Sequence, residues 1–223
     1  MTPYYDRDGV TIYHADCRDI LPSIDPASVD LLLTDPPYGI GLSTTYKSNG
    51  RGRSNGRHAW VARDHAPVAG DDEPFDPLHL NGYKRRVLFG ANNYAHLLPA
   101  SQSWLVWDRV SDGDDSADAE LAWTNLGGTV RIYRHMWTGY RRQSEIGVHI
   151  HPTQKPVALM AWILNRWTKP GDLILDPYMG SGPVARAAQL LGRRYIGIEL
   201  VEDYCKAAVN RLAQPSMFAE DAA

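Results

Sequence analysis

Leu173-Ile174-Leu175-Asp176-Pro177-Tyr178-Met179-Gly180-Ser181-Gly182-Pro183 decides the architecture of this chain. Three apolar residues suited to a buried strand run into an Asp-Pro turn and then into small residues. Pro183 opens a helix that reaches Leu191, with Gly192 as an ordinary residue just past its end. Gly180, Gly182 and Ala185 satisfy G-x-G-x-x-A, a weak signal alone, and small residues there let a ligand approach the backbone and the helix N-terminus. The next strand, Tyr195 to Ile198, ends in Glu199, 17 residues beyond Gly182, where an acid can bind ribose hydroxyls. As a set these residues point to an adenosine-containing cofactor. The plainer alternative is a strand, turn and helix followed by a surface Glu.

Outward from this unit, strand and helix signals alternate. Candidate strands are Val10 to Ala15, Val29 to Thr34, Val87 to Gly90, Trp104 to Trp107 and Val130 to Trp137. Pro156 to Trp167 places Val157, Met160, Ile163, Leu164 and Trp167 at helical spacing and stops before Lys169-Pro170-Gly171. Val201 to Leu212 carries Glu202 and Asp203 in its first turn, where carboxylates suit the helix dipole. The pattern is that of an α/β fold with a doubly wound, mostly parallel sheet. The length of 223 residues suits one domain rather than two.

Composition narrows the class. Twenty-three Lys and Arg against 26 Asp and Glu give a net charge of -3, which argues mildly against an obligatory nucleic-acid binder. No apolar run approaches the roughly 18 residues of a membrane span. The N-terminus has neither the basic head nor the apolar stretch of a secretory signal. Cys17 and Cys205 lie far apart in sequence, so neither a disulfide framework nor a cysteine-spaced zinc site is expected. The expectation is a cytoplasmic protein with no membrane partner and no metal.

The net charge hides segregation. From Gly39 to Arg63 the chain is rich in Gly, Ser and Asn and carries Lys47, Arg51, Arg53, Arg57 and Arg63 without an acid, so 39–66 is expected to be a mobile basic loop. Asp64, Asp71, Asp72, Glu73 and Asp76 follow it. A second acidic stretch, Asp108 to Glu120, read as helical, precedes Arg131, Arg134, Arg141 and Arg142. Residues 214–223 are expected to be a flexible tail. Asn92 and Asn93 are expected to cap a helix after the strand Val87 to Gly90.

The sharpest chemical feature is Asp35-Pro36-Pro37-Tyr38, directly after the strand ending at Thr34. The plain alternative is a rigid turn, since proline fixes φ and supplies no N–H. The functional alternative uses the same rigidity. An exocyclic amino nitrogen on a base is a poor nucleophile because its lone pair is delocalised into the ring. A carboxylate and a backbone carbonyl that each accept one of its N–H groups favour pyramidal nitrogen and free the lone pair. Asp35 and the Pro36 carbonyl suit that task with little reorganisation, and the Tyr38 ring suits stacking on the base. A third feature, His151-Pro152-Thr153-Gln154-Lys155-Pro156, leads into a helix and in isolation reads as an N-cap at Thr153.

Taken in order, Asp35 to Tyr38, His151 to Pro156 and Asp176 to Gly182 resemble the β-class DNA amino-methyltransferases, which use S-adenosylmethionine. The resemblance spans roughly Val10 to Leu212 and implies a circularly permuted Rossmann-like class I methyltransferase fold in one domain (1–213) with loop insertions. It implies that Asp35, Pro36, Pro37 and Tyr38 hold a flipped target base, and that Thr153 and Lys155 approach the cofactor's methionine end. Asp35, Asp176, Tyr178, Gly180, Ser181 and Gly182 would line the cofactor pocket, Glu199 would hold the ribose, and Asp16 with the backbone of Cys17 would meet the adenine. The product would be S-adenosylhomocysteine. Double-stranded DNA is the implied partner, gripped by Lys47, Arg51, Arg53, Arg57 and Arg63 and by Arg134, Arg141 and Arg142. A homodimer, a cognate restriction endonuclease, and a prokaryotic or phage source are compatible with it.

Two departures stand out. Tyr178 replaces the usual Phe and keeps an aromatic wall. The room before His151 is small, so 108–150 is expected to hold only a reduced target-recognition region. Among alternatives, a cytosine C5-methyltransferase lacks its cysteine after proline, and an NAD dehydrogenase leaves Asp35 to Tyr38 without a role. An N4-cytosine enzyme and a catalytically silent DNA- or cofactor-binding protein remain as alternatives to an N6-adenine enzyme. Adenine is favoured because the resemblance pairs Asp at position 35 with adenine and Ser with cytosine.

Overall fold

Leu31, Leu32 and Leu33 set the plan of the fold, because all three are fully buried on a strand whose side chains alternate between two faces. Leu31 and Leu33 join one hydrophobic cluster and Leu32 the other, so the sheet is covered on both sides. The computed structural model describes residues 1–42, 68–111, 117–138, 142–145 and 153–214.

Nine strands form one sheet: β1 (Tyr5–Arg7), β2 (Val10–His14), β3 (Leu31–Thr34), β4 (Arg86–Phe89), β5 (Trp104–Asp108), β6 (Ala119–Thr124), β7 (Arg131–Arg134), β8 (Leu173–Asp176) and β9 (Arg194–Glu199). Their order is β1-β2-β9-β8-β3-β4-β6-β5-β7. β2, β9, β8, β3 and β4 run parallel in the centre; β1 and β6 are antiparallel to their neighbours, and β7 is parallel to β5. This is the mostly parallel α/β sheet expected. The helices α2 (Val157–Trp167), α3 (Pro183–Leu190) and α4 (Glu202–Leu212) cover one face through Leu159, Ile163, Ala185, Ala188 and Ala208. The other face is covered by the short α1 (Cys17–Ile20) and by 3₁₀ turns such as Pro77–Leu80, with Phe75, Tyr83, Tyr94 and Trp123.

The central strands β8 and β3 are neighbours although nearly 140 residues separate them in the chain. The connections leave their C-terminal ends in opposite directions, and at such a switch point a crevice opens for ligands. Gly182 keeps one wall of it in place. Its φ of +75° suits glycine, and a Cβ there would lie 2.7 Å from the Ala208 Cβ of α4. That glycine lets α4 pack closely on the loop.

Several expectations need correction. The described part of Asp108 to Glu120 is not helical: Asp108 ends β5 and Ala119–Glu120 begin β6, paired antiparallel across Asp108 and Ala119. Within 108–150, β6 and β7 take up 119–124 and 131–134. Asn92 and Asn93 cap no helix. Asn93 instead donates from its backbone and its side chain to the Gly90 carbonyl, closing a turn. The N-cap of α2 is Pro156, and the acceptor for the Val157 N–H is the Glu145 carboxylate at 2.9 Å rather than Thr153. β7 stops at Arg134, and Trp137 forms only an isolated bridge with Arg142.

Candidate functional site

Thr34, the last residue of β3, joins the two halves of the site. Its hydroxyl donates to Asp176 at 2.7 Å and accepts from the Tyr178 N–H at 3.2 Å, so the Asp35–Tyr38 tetrad and the glycine loop share one buried knot. Asp176 also accepts from the Tyr178 N–H at 3.3 Å and from the Tyr195 hydroxyl at 3.2 Å. Burial raises its carboxyl to about 7 despite those three donors. Its acceptors are engaged in holding the loop.

Beyond the knot, Asp35 is held on both oxygens. The Tyr38 hydroxyl donates to Oδ1 at 2.6 Å, and the Lys155 ammonium donates to Oδ2 at 2.6 Å. Lys155 is 3% exposed and also contacts Glu120 at 3.0 Å and the Tyr38 hydroxyl at 3.2 Å. All three of its N–H donors thus point into the Asp35 cluster. Burial works against the ammonium, but Asp35 and Glu120 outweigh it and hold Lys155 above its ordinary range. Burial first, and then the charges of Asp35 and Glu120, push the Tyr38 phenol well above its usual value, so it stays a donor. The Tyr38 ring rests on Gly90, where a Cβ would come within 1.9 Å of it. Any side chain at position 90 would expel the ring.

Asp71 fixes the chain that follows. This 5% exposed carboxylate accepts from the N–H groups of Tyr38 (3.0 Å), Gly39 (2.9 Å) and Ile40 (3.4 Å) on one oxygen and Leu42 (2.6 Å) on the other. Asp71→Ala strands these four donors. It is expected to cost about 3 kcal/mol, given that a hydrogen bond to a charged group contributes roughly 1.5–3 kcal/mol. A urea or thermal melt checks this, and a midpoint unchanged from the parent would contradict it.

On the other side of the knot, Gly180 donates its N–H to Glu199 Oε2 at 2.8 Å, and Val201 donates to Oε1 at 2.8 Å. Glu199 is 9% exposed, and burial raises its carboxyl against the pull of these donors. A carboxylate has about four acceptor sites, so capacity remains for a pair of hydroxyls. Asp16 and Cys17 stand close by, since β2 and β9 run side by side with His14 opposite Glu199. Asp16 caps α1 and pairs with Arg18 at 2.6 Å, which lowers its carboxyl. Cys17 is buried, and burial raises its thiol. Tyr178 spends its extra hydroxyl on His79 Nε2 at 2.9 Å, with its ring edge-on to Phe75. The acid, the glycine loop and the aromatic wall are the donor and acceptor set that an adenosine ligand needs.

The structure thus brings together Asp35 to Tyr38, Lys155, Asp176 to Gly182, Glu199 and the Asp16–Cys17 turn at one end of the sheet. Thr153 lies half-buried at the approach to α2. Ser181 is buried, and its carbonyl accepts from Arg211 Nε at 3.0 Å. Arg211 in turn pairs with Glu145, which also accepts from Gln154 at 3.1 Å. Lys47, Arg51, Arg53, Arg57, Arg63 and Arg141, with His151 and Pro152, lie outside the described residues. Arg134 is exposed and pairs with Asp108 at 3.0 Å, whereas the Arg142 guanidinium lies 4.1 Å from the Trp137 ring centroid. Neither is gathered into the site. Glu120, Asp71 and Glu145 were missed in the sequence because each sits in a polar stretch and meets partners far along the chain. The alternation of Glu120, Ala122 and Thr124 with Leu121 and Trp123 was the available signal for an inward Glu120. Among the described residues, no helix is long and apolar enough to cross a membrane, and no group of three or more His, Cys, Asp and Glu gathers as metal ligands would.

Comparison with known proteins agrees with this geometry. Residues 91–210 match the N6/N4 DNA methylase family model, a span that holds Lys155, the glycine loop and Glu199. The chain is similar to the type II methyltransferase M2.LlaDCHI of Lactococcus lactis subsp. cremoris, 27% identical with 94% of this chain and 91% of that one covered. It is similar to M2.DpnII of Streptococcus pneumoniae at 27% identity, covering 94% and 92%. Among solved structures, the cytosine-N4-specific PvuII DNA methyltransferase superposes with a TM-score of 0.65 at 14% identity, covering 97% of this chain and 90% of that one. The M1.HpyAVI–SAM complex gives 0.54 at 22%, covering 91% and 100%. Both share the class I methyltransferase fold. With more than half of its residues matched by that family model, the chain belongs to the N6/N4 family of DNA amino-methyltransferases.

Proposed function

We propose that this protein transfers the methyl group of S-adenosylmethionine to N6 of an adenine turned out of double-stranded DNA. The observation that carries it is the Asp35 carboxylate at the end of β3, tied through Thr34 to the glycine loop beside Glu199. The donor set fits the cofactor. Glu199 would accept its ribose hydroxyls, Tyr178 and the loop 180–182 would wall it, and the Asp16–Cys17 turn would meet its adenine.

Bound S-adenosylmethionine supplies an electrophilic methyl group on sulfonium sulfur. Asp35 and the Pro36 carbonyl accept the two N–H groups of the target amine, which turns its lone pair toward the methyl carbon. Each Asp35 oxygen already has one partner, and each retains acceptor capacity for the amine. The N6–carbon bond forms as the carbon–sulfur bond breaks, and Asp35 is the carboxylate placed to take the surplus proton. Lys155 and Tyr38 hold that carboxylate still, and the prolines hold the backbone, so little reorganises during reaction. Extruding the base costs a few kcal/mol, which contacts in the pocket offset. Asp at position 35 is the ground for preferring adenine over cytosine.

The test is transfer of labelled methyl from the cofactor to double-stranded DNA of mixed sequence. Label in DNA is expected. Normal cofactor binding with no label in any DNA would leave a silent binder and overturn the reading. We further assign DNA affinity to the basic segment after Tyr38. Replacing Arg51, Arg53 and Arg57 together by Gln is expected to flatten the log–log salt dependence of binding by about 0.9 per lost phosphate contact. An unchanged slope would remove the segment from the interface.

A further inference from the structure

We propose that Glu120 is a positioning residue of the methyl-acceptor site: with Arg109 behind it, it anchors the Lys155 ammonium so that Asp35 is fixed for the incoming amine. This rests on the transfer reading above.

Lys155 is the link between the two carboxylates. Its Nζ lies 2.6 Å from Asp35 and 3.0 Å from Glu120, with Arg109 3.3 Å from the other Glu120 oxygen. The charges alternate along Arg109, Glu120, Lys155 and Asp35 and sum to zero, which lowers the cost of burying any one of them. With Asp35 as its only carboxylate, a buried ammonium would follow that carboxylate wherever it moved. A second anchor on a sheet strand makes Nζ a fixed point. β6 supplies that rigidity, since Glu120 lies opposite Trp107 of β5 in the antiparallel ladder. The Arg109 guanidinium is itself held by the Trp137 carbonyl at 3.0 Å. The groups facing Nζ are Asp35 and Tyr38 from the end of β3, Glu120 from β6 and the ring of Phe89 from β4. The Tyr94 phenol lies beyond them and is engaged with the Phe89 carbonyl.

Glu120→Gln keeps the length and one acceptor of the side chain and removes its charge. In this variant kcat is expected to fall about 10- to 100-fold, as a small misplacement of a reacting group does, while the KM for cofactor stays within about threefold. The basic limb of the kcat–pH profile is expected to move to lower pH, because the ammonium loses one of its two carboxylates. A readout independent of activity is ¹⁵N NMR titration of the Lys155 Nζ, which should deprotonate at lower pH in Glu120→Gln than in the parent. Glu120→Asp, which keeps the charge at a shorter reach, should retain a parent-like limb and lose less activity. It decides the matter alone if Glu120→Gln does not fold by circular dichroism. A Glu120→Gln variant with kcat within threefold of the parent, or with Lys155 titrating as in the parent, would overturn the proposal. So would Glu120→Asp losing as much as Gln. If the parent transfers no methyl to any DNA, the transfer reading fails separately, and the NMR titration still judges the anchoring of Lys155.

Discussion

Asp35→Ala is expected to reduce methyl transfer by at least about 10³-fold, the upper range for removing one preorganised group aimed at a reacting centre. Cofactor affinity is expected to stay within about threefold of the parent, a change of well under 1.4 kcal/mol. The split follows from position. The Asp35 carboxylate touches Tyr38 and Lys155, while the tie to the glycine loop runs through the hydroxyl of the neighbouring Thr34, which the substitution leaves in place. Loss of the carboxylate leaves Lys155 with Glu120 as its remaining carboxylate, and truncating one partner of a buried pair costs stability. Single-turnover kinetics at saturating cofactor, with isothermal titration of the cofactor on the same preparation, reads both quantities. Retained transfer would remove Asp35 from the chemistry.

Glu199→Ala is expected to act in the opposite way. Two hydrogen bonds from ribose hydroxyls to a carboxylate contribute about 1.5 kcal/mol each, so their loss corresponds to roughly a 10²-fold rise in the cofactor Kd. The substitution also frees the N–H groups of Gly180 and Val201 that the carboxylate now receives, which loosens the loop and adds to the effect. With cofactor at saturating concentration, kcat should remain within a few-fold of the parent. A normal Kd combined with a collapsed kcat would reverse the two assignments.

Much of this was legible along the chain because it was written locally. The run from Leu173 to Pro183 names its own strand, turn and helix, and the elements there lie within a residue or so of expectation. Asp35 announced itself through its prolines. What local pattern could not supply was pairing at a distance. The local pattern around Lys155 did not show that its ammonium pairs with Asp35, 120 residues away, and with Glu120. Ala119 to Thr124 was hidden by Ala and Glu, which favour helix in isolation, whereas the ladders to β4 and β5 decide for strand. Asp71 is one acid in an acidic run by sequence, yet its carboxylate is buried in a row of backbone donors. Tyr178 was a small departure from the family pattern, and its added hydroxyl ties the glycine loop to His79.

The basic segment also changes the weight of overall charge. A net charge of -3 counts against nucleic acid only if charge is spread evenly, and here the cations of 47–63 follow the tetrad directly in sequence.

The most direct test of the central claim is nucleoside mass spectrometry of double-stranded DNA of mixed sequence after incubation with the protein and S-adenosylmethionine. Accumulation of N6-methyladenine, absent with Asp35→Ala, is the predicted result. N4-methylcytosine in its place, or no methylated nucleoside while cofactor binds normally, would contradict it.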